Sequence, residues 1–126
     1  MLLLDADVLV DVQRGHPPAV AWFAGPEELP AVPGLVIMEL VQNAHDRRRV
    51  QKVLKLVAPL SVIWPNETDG QRALDLFAVY HLSNGLGLVD ALIASCAIGR
   101  SATLCTFNFN HYQAIPGLAL LRPYDR

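Results

Sequence analysis

Short apolar runs, most of them stopped by an acid or a proline and separated by stretches of helical period, constrain this chain more than any other feature. "LLL" runs into Asp5, "LSVI" into Trp64 and Pro65, "ATLC" into Thr106, and "LALL" into Arg122 and Pro123. Runs of this length suit strands covered on both faces. Residues 29–32 are a further strand candidate, although Pro30 limits its ladder. Between them, apolar residues recur with helical spacing over residues 8–14, 33–44, 47–57, 68–81 and 88–98. "HPPAVAWFAG" reads as a short helix closed by Gly25. Asp7 is the expected N-cap of the first helix, "GLGL" the break before the last, and "FNFNHYQ" a loop. Strands alternating with helices imply an α/β fold with a parallel sheet and right-handed crossovers.

Composition limits the setting. With 126 residues and no internal repeat or linker, the chain is expected to form a single domain over residues 1–126. It is 52% hydrophobic and 17% charged, which favours a layered core. No apolar run reaches the roughly 18 residues of a membrane span, and "MLLLDADVLVD" lacks the basic start of a signal peptide. The expected location is cytoplasmic. Cys96 and Cys105 have no CxxC spacing and read as small buried hydrophobes. A net charge of −2 does not announce a nucleic-acid binder, so any such role must rest on local arrangement.

Ligands of parallel sheets sit beyond the carboxyl ends of the strands. Asp5 ends the first strand, and Thr106 and Asn108 follow a later one, so these groups can converge on one edge. Asp90 opens an otherwise apolar helix. It falls beside Ala91, Ala94 and Ala97, the face able to approach the sheet most closely. Each acid also has a structural reading. Asp90 complements the helix dipole, Asp5 and Asp7 suit turns and caps, and Glu39 shares the polar side of its helix with Gln42, Asn43 and Asp46, where a solvated carboxylate is expected.

The ordered set carries more than its members. The strand ending at Asp5, "VIMELVQNA" around Glu39, "LGLVDALIAS" around Asp90 and "LCTFNFNHYQAIPGL" around Asn108 resemble, in order and spacing, the PIN domain. More narrowly, they resemble the short VapC-type toxins of bacterial and archaeal toxin–antitoxin pairs. The resemblance spans essentially the whole chain. It implies a three-layer fold, a twisted parallel sheet with helices on both faces. It also implies a catalytic set of Asp5, Glu39, Asp90 and Asn108, the last in a position the family often fills with Asp. Hydrolytic cleavage of RNA, a small antitoxin partner and a homodimer are implied in the same way. The chemistry agrees: carboxylates within about 4 Å repel by about 4 kcal/mol per pair at an effective dielectric near 20, so they take up protons or gather a cation. Oxygen-only ligands select a hard ion, Mg²⁺ or Mn²⁺, with Asp5 and Asp90 the principal ligands and Glu39 and Asn108 acting directly or through water.

Five of the ten basic residues lie within 47–55, and Arg48, Lys52 and Lys55 share one helix face opposite Val50, Val53, Leu54 and Val57. That stripe is a candidate phosphate track as well as an ordinary solvated face. His16, His45, His81 and His111 lack metal-ligand spacing and suit surface or loop positions, with a phosphate contact open to His111. Trp22, Phe23, Phe77 and Tyr80 suit the core or a subunit interface. A haloacid-dehalogenase-like phosphotransferase also starts with an apolar strand and D-x-D, but needs a downstream Lys and a late acidic pair. No Lys follows Lys55, which counts equally against a phospho-receiver domain. A PIN-like binding module without catalysis is the remaining alternative.

Overall fold

A computed structural model describes residues 1–25 and 27–126. The chain forms β1 (Leu2–Leu4), α1 (Ala6–Gln13), α2 (Pro17–Ala24), β2 (Ala31–Pro33), α3 (Gly34–Gln42), α4 (Arg47–Val57), β3 (Ser61–Ile63), α5 (Glu67–Asn84), α6 (Leu88–Gly99), β4 (Thr103–Cys105), α7 (Phe109–Tyr112) and β5 (Ala119–Leu121). The five strands form one parallel sheet in the order β3-β2-β1-β4-β5, within a three-layer α/β arrangement. The expected alternation therefore holds. Central strands β1, β2 and β4 are built from buried residues such as Leu3, Leu4, Val32, Leu104 and Cys105, whereas edge strands β3 and β5 are largely exposed. Cys96 and Cys105 are free and buried, as small hydrophobes are, and burial pushes their thiols up to about 11 and about 12. Among the described residues no helix is long and apolar enough to cross a membrane.

The strand order reverses beside β1: the chain leaves it for β2 on one side and reaches β4 on the other. Crevices at such a reversal open beyond the strands' carboxyl ends. The backbone N–H of Asp5 still donates to Cys105 O at 3.0 Å, which ties the first residue after β1 to the end of β4.

Several local expectations are corrected. Asp5 caps α1, not Asp7: its Oδ1 accepts the Ala6 N–H at 2.8 Å and the helix begins at Ala6. Asp7 lies inside the first turn, where its Oδ1 accepts the Val8 N–H. β2 begins at Ala31 rather than at 29 and ends on Pro33, whose missing N–H is tolerated because the next residue opens α3. α5 is longer than 68–81: Asn66 and Asp69 form a reciprocal capping box, and Gly85 ends the helix at φ 67°, a left-handed conformation that favours glycine. "FNFNHYQ" is not a plain loop, because Phe109–Tyr112 close one helical turn that buries Tyr112 completely. Residues 47–57 form α4 as expected, with Val53 and Val57 buried and Arg48, Lys52 and Lys55 exposed, although Leu54 on the apolar side stays 49% exposed. α6 is buried on most of its circumference: Ile93 and Cys96 are as inaccessible as Ala91, Ala94 and Ala97. Trp22, Phe23, Phe77 and Tyr80 pack, partly buried, against the core.

Candidate active site

Four carboxylates reach one open cleft of about 430 Å³ beyond the carboxyl edge of the sheet, lined by Asp5, Asp7, Glu39, Asp90, Phe107, Asn108 and Arg126. The sequence-predicted set of Asp5, Glu39, Asp90 and Asn108 therefore converges. Asp5 is delivered by the end of β1, Asp90 by the first turn of α6, Glu39 from within α3, and Asn108 from the N-cap of α7.

Asp5 sits deepest, at 7% exposure. Its Oδ2 accepts the Thr106 hydroxyl at 2.9 Å, and the same hydroxyl lies 3.3 Å from Asp7 Oδ2. Asp7 Oδ2 also accepts the Phe107 N–H at 2.8 Å, while Thr106 Oγ1 accepts the Asn108 N–H at 3.0 Å. Thr106, fully buried, thus links the loops after β1 and β4 through one hydroxyl. Burial pushes the Asp5 carboxyl up to about 7, reinforced by the nearby charges of Asp7 and Asp90, against the pull of the Ala6 and Thr106 hydrogen bonds. Burial also raises Asp7, and Glu39 is raised by burial and then by Asp90. Glu39 is accordingly half-buried rather than solvated. Helical periodicity separates it from the core side of α3, but α3 starts directly at the end of β2, so its polar side borders the cleft.

Asp90 is held on both oxygens. Oδ1 accepts the Tyr112 hydroxyl at 3.1 Å, and Oδ2 accepts the Gly87 N–H at 3.1 Å and lies 3.2 Å from His111 Nδ1. The Asn108 amide is 2.8 Å from the same His111 nitrogen. One ring nitrogen cannot both donate to Asp90 and accept from an amide N–H. The charge-assisted bond to the carboxylate is the stronger of the two, and the ring tautomer decides between them. Tyr112 is raised well above its ordinary range by burial and then by Asp5 and Asp90, so it stays a hydroxyl donor.

Among the described residues no three His, Cys, Asp or Glu side chains are drawn close enough to hold an ion between them as they stand. The cleft is a loose gathering of oxygen donors. Among the described residues Arg126 is its one lining cation: Nε lies 3.1 Å from Asp11 Oδ2, Nη2 donates to Asp11 Oδ1 at 3.2 Å, and the guanidinium lies over the Phe107 ring at 4.9 Å. Arg48, Lys52 and Lys55 are not among the lining residues. Sequence reasoning missed three contributions. Asp7 was legible as half of D-x-D but also as a cap. Tyr112 and His111 reach Asp90 only because α7 forms, and nothing in the local pattern brings Arg126 to Phe107.

The PIN domain family profile matches residues 2–115. Ribonuclease VapC10 of Mycobacterium tuberculosis is 31% identical over 118 residues, covering 89% of this chain and 86% of that protein. A toxin–antitoxin complex from Klebsiella pneumoniae contains a chain that superposes with a TM-score of 0.82 at 23% identity, covering 100% of both chains. VapBC2 from Rickettsia felis, bound to a DNA fragment from its promoter, gives 0.75 at 25% identity over 95% of this chain and 96% of its own.

Proposed function

Because the chain belongs to the PIN-domain family, among its VapC-type members, we propose that it is the toxin of a toxin–antitoxin pair and a divalent-metal-dependent endoribonuclease. The observation that carries this reading is the convergence of Asp5, Asp7, Glu39 and Asp90 on one cleft, with Asp5 pushed up to about 7. Such a set relieves its mutual repulsion by holding a cation, and an oxygen-only donor set suits Mg²⁺ or Mn²⁺. Mg²⁺ keeps several waters and takes only one or two carboxylates directly, so it does not require a preformed cage of protein ligands. In this reading Asp5 and Asp90 would hold the ion, with Glu39 and Asn108 contributing directly or through water. A bound ion of this kind supplies an activated water and positive charge beside a phosphodiester.

The chain's own residues then have distinct tasks. Thr106 orients Asp5 and Asp7, while Tyr112, Gly87 and His111 fix both oxygens of Asp90. Glu39, with its raised proton affinity, is suited to take a proton from a cleft water. Arg48, Lys52 and Lys55, exposed along α4, offer a sequence-independent track for RNA phosphates outside the cleft. Leu74, Leu82 and Leu88 remain 60%, 86% and 62% exposed, apolar surface that supports protein partners, here a cognate antitoxin and a second copy of the chain.

Expression of the chain and of Asp5→Ala in a bacterial host, with growth and RNA integrity as readouts, tests the reading. Growth arrest and RNA cleavage by the wild type alone are expected, with cleavage by purified protein abolished by chelator. Equal effects of both forms, or undiminished cleavage without metal, would overturn it.

A further inference from the structure

We infer that Arg126 is a substrate-binding residue that receives an RNA phosphate at the rim of the acidic cleft. The inference rests on the reading of that cleft as a site of phosphodiester hydrolysis and adds the group that admits the anion. An RNA phosphate approaching Asp5, Asp7, Glu39 and Asp90 meets four carboxylates, and among the described residues Arg126 is the one positively charged side chain that lines the cleft.

Its geometry suits the task. The guanidinium donates to Asp11 through Nη2 at 3.2 Å, with Nε 3.1 Å from the other carboxylate oxygen as an ion pair, and Asp11 is itself held by the Tyr124 hydroxyl at 2.8 Å. Asp11 is a firm anchor: burial raises its carboxyl, but Tyr124 and Arg126 outweigh that and leave it below its ordinary value. Among the described residues no other acceptor takes the remaining N–H groups of the five-donor fork, which leaves them for a second acceptor. The planar group rests over the Phe107 ring at 4.9 Å, and the Phe107 N–H donates to Asp7, so cation, ring and acid form one block. With 48% of its side chain exposed, Arg126 is clamped on one edge and open on the other. A flexible, fully solvated arginine would lose more rotamer freedom on binding than one already fixed this way.

The test compares wild type with Arg126→Ala, Arg126→Lys and Asp11→Asn. Affinity for a labelled single-stranded RNA is measured across a salt series in an Asp5→Asn background, which blocks cleavage equally in every arm. Cleavage kinetics and Mg²⁺ affinity are measured in the native background. Arg126→Ala is expected to weaken RNA binding about 10-fold or more and to lower the salt slope by about 1. It should raise KM with kcat changed far less, and leave Mg²⁺ affinity equal or tighter because a positive charge beside the carboxylates is gone. Arg126→Lys keeps the charge without the fork, and Asp11→Asn frees the fork from its anchor; both should fall between.

A merely structural arginine would lower the melting temperature without separating RNA affinity from Mg²⁺ affinity, and that result overturns the inference. Unchanged RNA affinity and salt slope in Arg126→Ala overturns it too. Faster cleavage by Arg126→Ala would mean that the guanidinium blocks the cleft, which also overturns it. A wild type that neither cleaves nor binds RNA with Mg²⁺ or Mn²⁺ defeats the reading of the cleft itself. Cleaving wild type with an indifferent Arg126→Ala defeats only the assignment to Arg126.

Discussion

Asp5 and Asp69 are both buried, at 7% and 1% exposure, and the chain treats them in opposite ways. Asp69 is completed by protein cations: Arg72 Nη1 lies 3.1 Å from Oδ1 and Arg100 Nη1 2.9 Å from Oδ2, with the Asn66 N–H on the same oxygen at 3.0 Å. Burial alone would raise it, but the Asn66 N–H and the two guanidinium groups outweigh burial and hold it below the usual carboxylate value. Arg72 and Arg100 go on to bond Ser95 O, Cys96 O and Trp64 O, and Ser95 Oγ donates to Asp69 O, so the cluster pins α5 to α6. Gly99 belongs to it, since a Cβ there would run into Asp69 Oδ1. Asp5 has two hydrogen bonds and two repelling carboxylates nearby, and burial drives it up to about 7. Burial of an acid is therefore not the mark of a functional site. Asp5 differs in being buried without a protein countercharge at the open edge of the sheet.

The largest expected break in this contrast is catalytic. Asp5→Asn should lower RNA cleavage by about 10²- to 10⁴-fold while leaving the fold intact, measured as turnover of a labelled RNA beside circular dichroism. Asp69→Asn should do the reverse. Stripping the two arginines of their shared partner is expected to destabilise the chain by about 3–5 kcal/mol in urea unfolding, with cleavage per folded molecule preserved. A smaller effect sharpens the acid side. Asn108→Asp adds a negative charge to the cleft and should tighten Mg²⁺ several-fold by calorimetry, whereas Asn108→Ala should weaken metal binding and cleavage together. Unchanged affinity in both would leave Asn108 as the residue that opens α7 and nothing more. Smallest is the effect of Arg48→Ala or Lys52→Ala. Each should lower RNA affinity uniformly across sequences and reduce the salt slope by about 1, without moving Mg²⁺ affinity.

The sheet was legible because its strands are apolar runs with clear stops, and α4 because its charges and valines alternate with helical period over residues 47–57. Asp90 and Asp5 stood out as charges set in apolar surroundings. Their order along the chain with Glu39 and Asn108 then made the site readable through resemblance to a family. What stayed hidden depends on tertiary contact. Asp5 and Asp7, two positions apart, are both competent caps, and only the turn geometry after β1 decides that Asp5 caps while Asp7 faces Thr106 and Phe107. Glu39 looked solvated because a helical wheel cannot see the crevice beyond β2. Tyr112 and His111 gained their roles from a single turn too short to carry a periodic signal. Arg126 reaches the cleft through Asp11, a partner 115 positions away in sequence. Asp69 reads locally as a capping residue with Arg72 three positions on, and only the fold brings its second arginine, Arg100, from the far end of α6.

The most direct test follows thermal unfolding across pH with and without Mg²⁺, for wild type and Asp5→Asn. Asp5 holds its proton up to about 7 in the native chain but only to about 3.8 when unfolded, so between those values the native state carries the extra proton. Stability without divalent ion should then fall as pH rises from about 4 to about 7, by up to about 4 kcal/mol, and level off above. An ion that binds the ionised carboxylates removes that penalty. Mg²⁺ should therefore raise the melting temperature little at pH 5 and strongly at pH 8, and the pH-dependent part of that rise should vanish in Asp5→Asn. A Mg²⁺ effect that is absent at every pH, or equally large in wild type and Asp5→Asn, would contradict the assignment of this acidic cleft as a divalent-metal site.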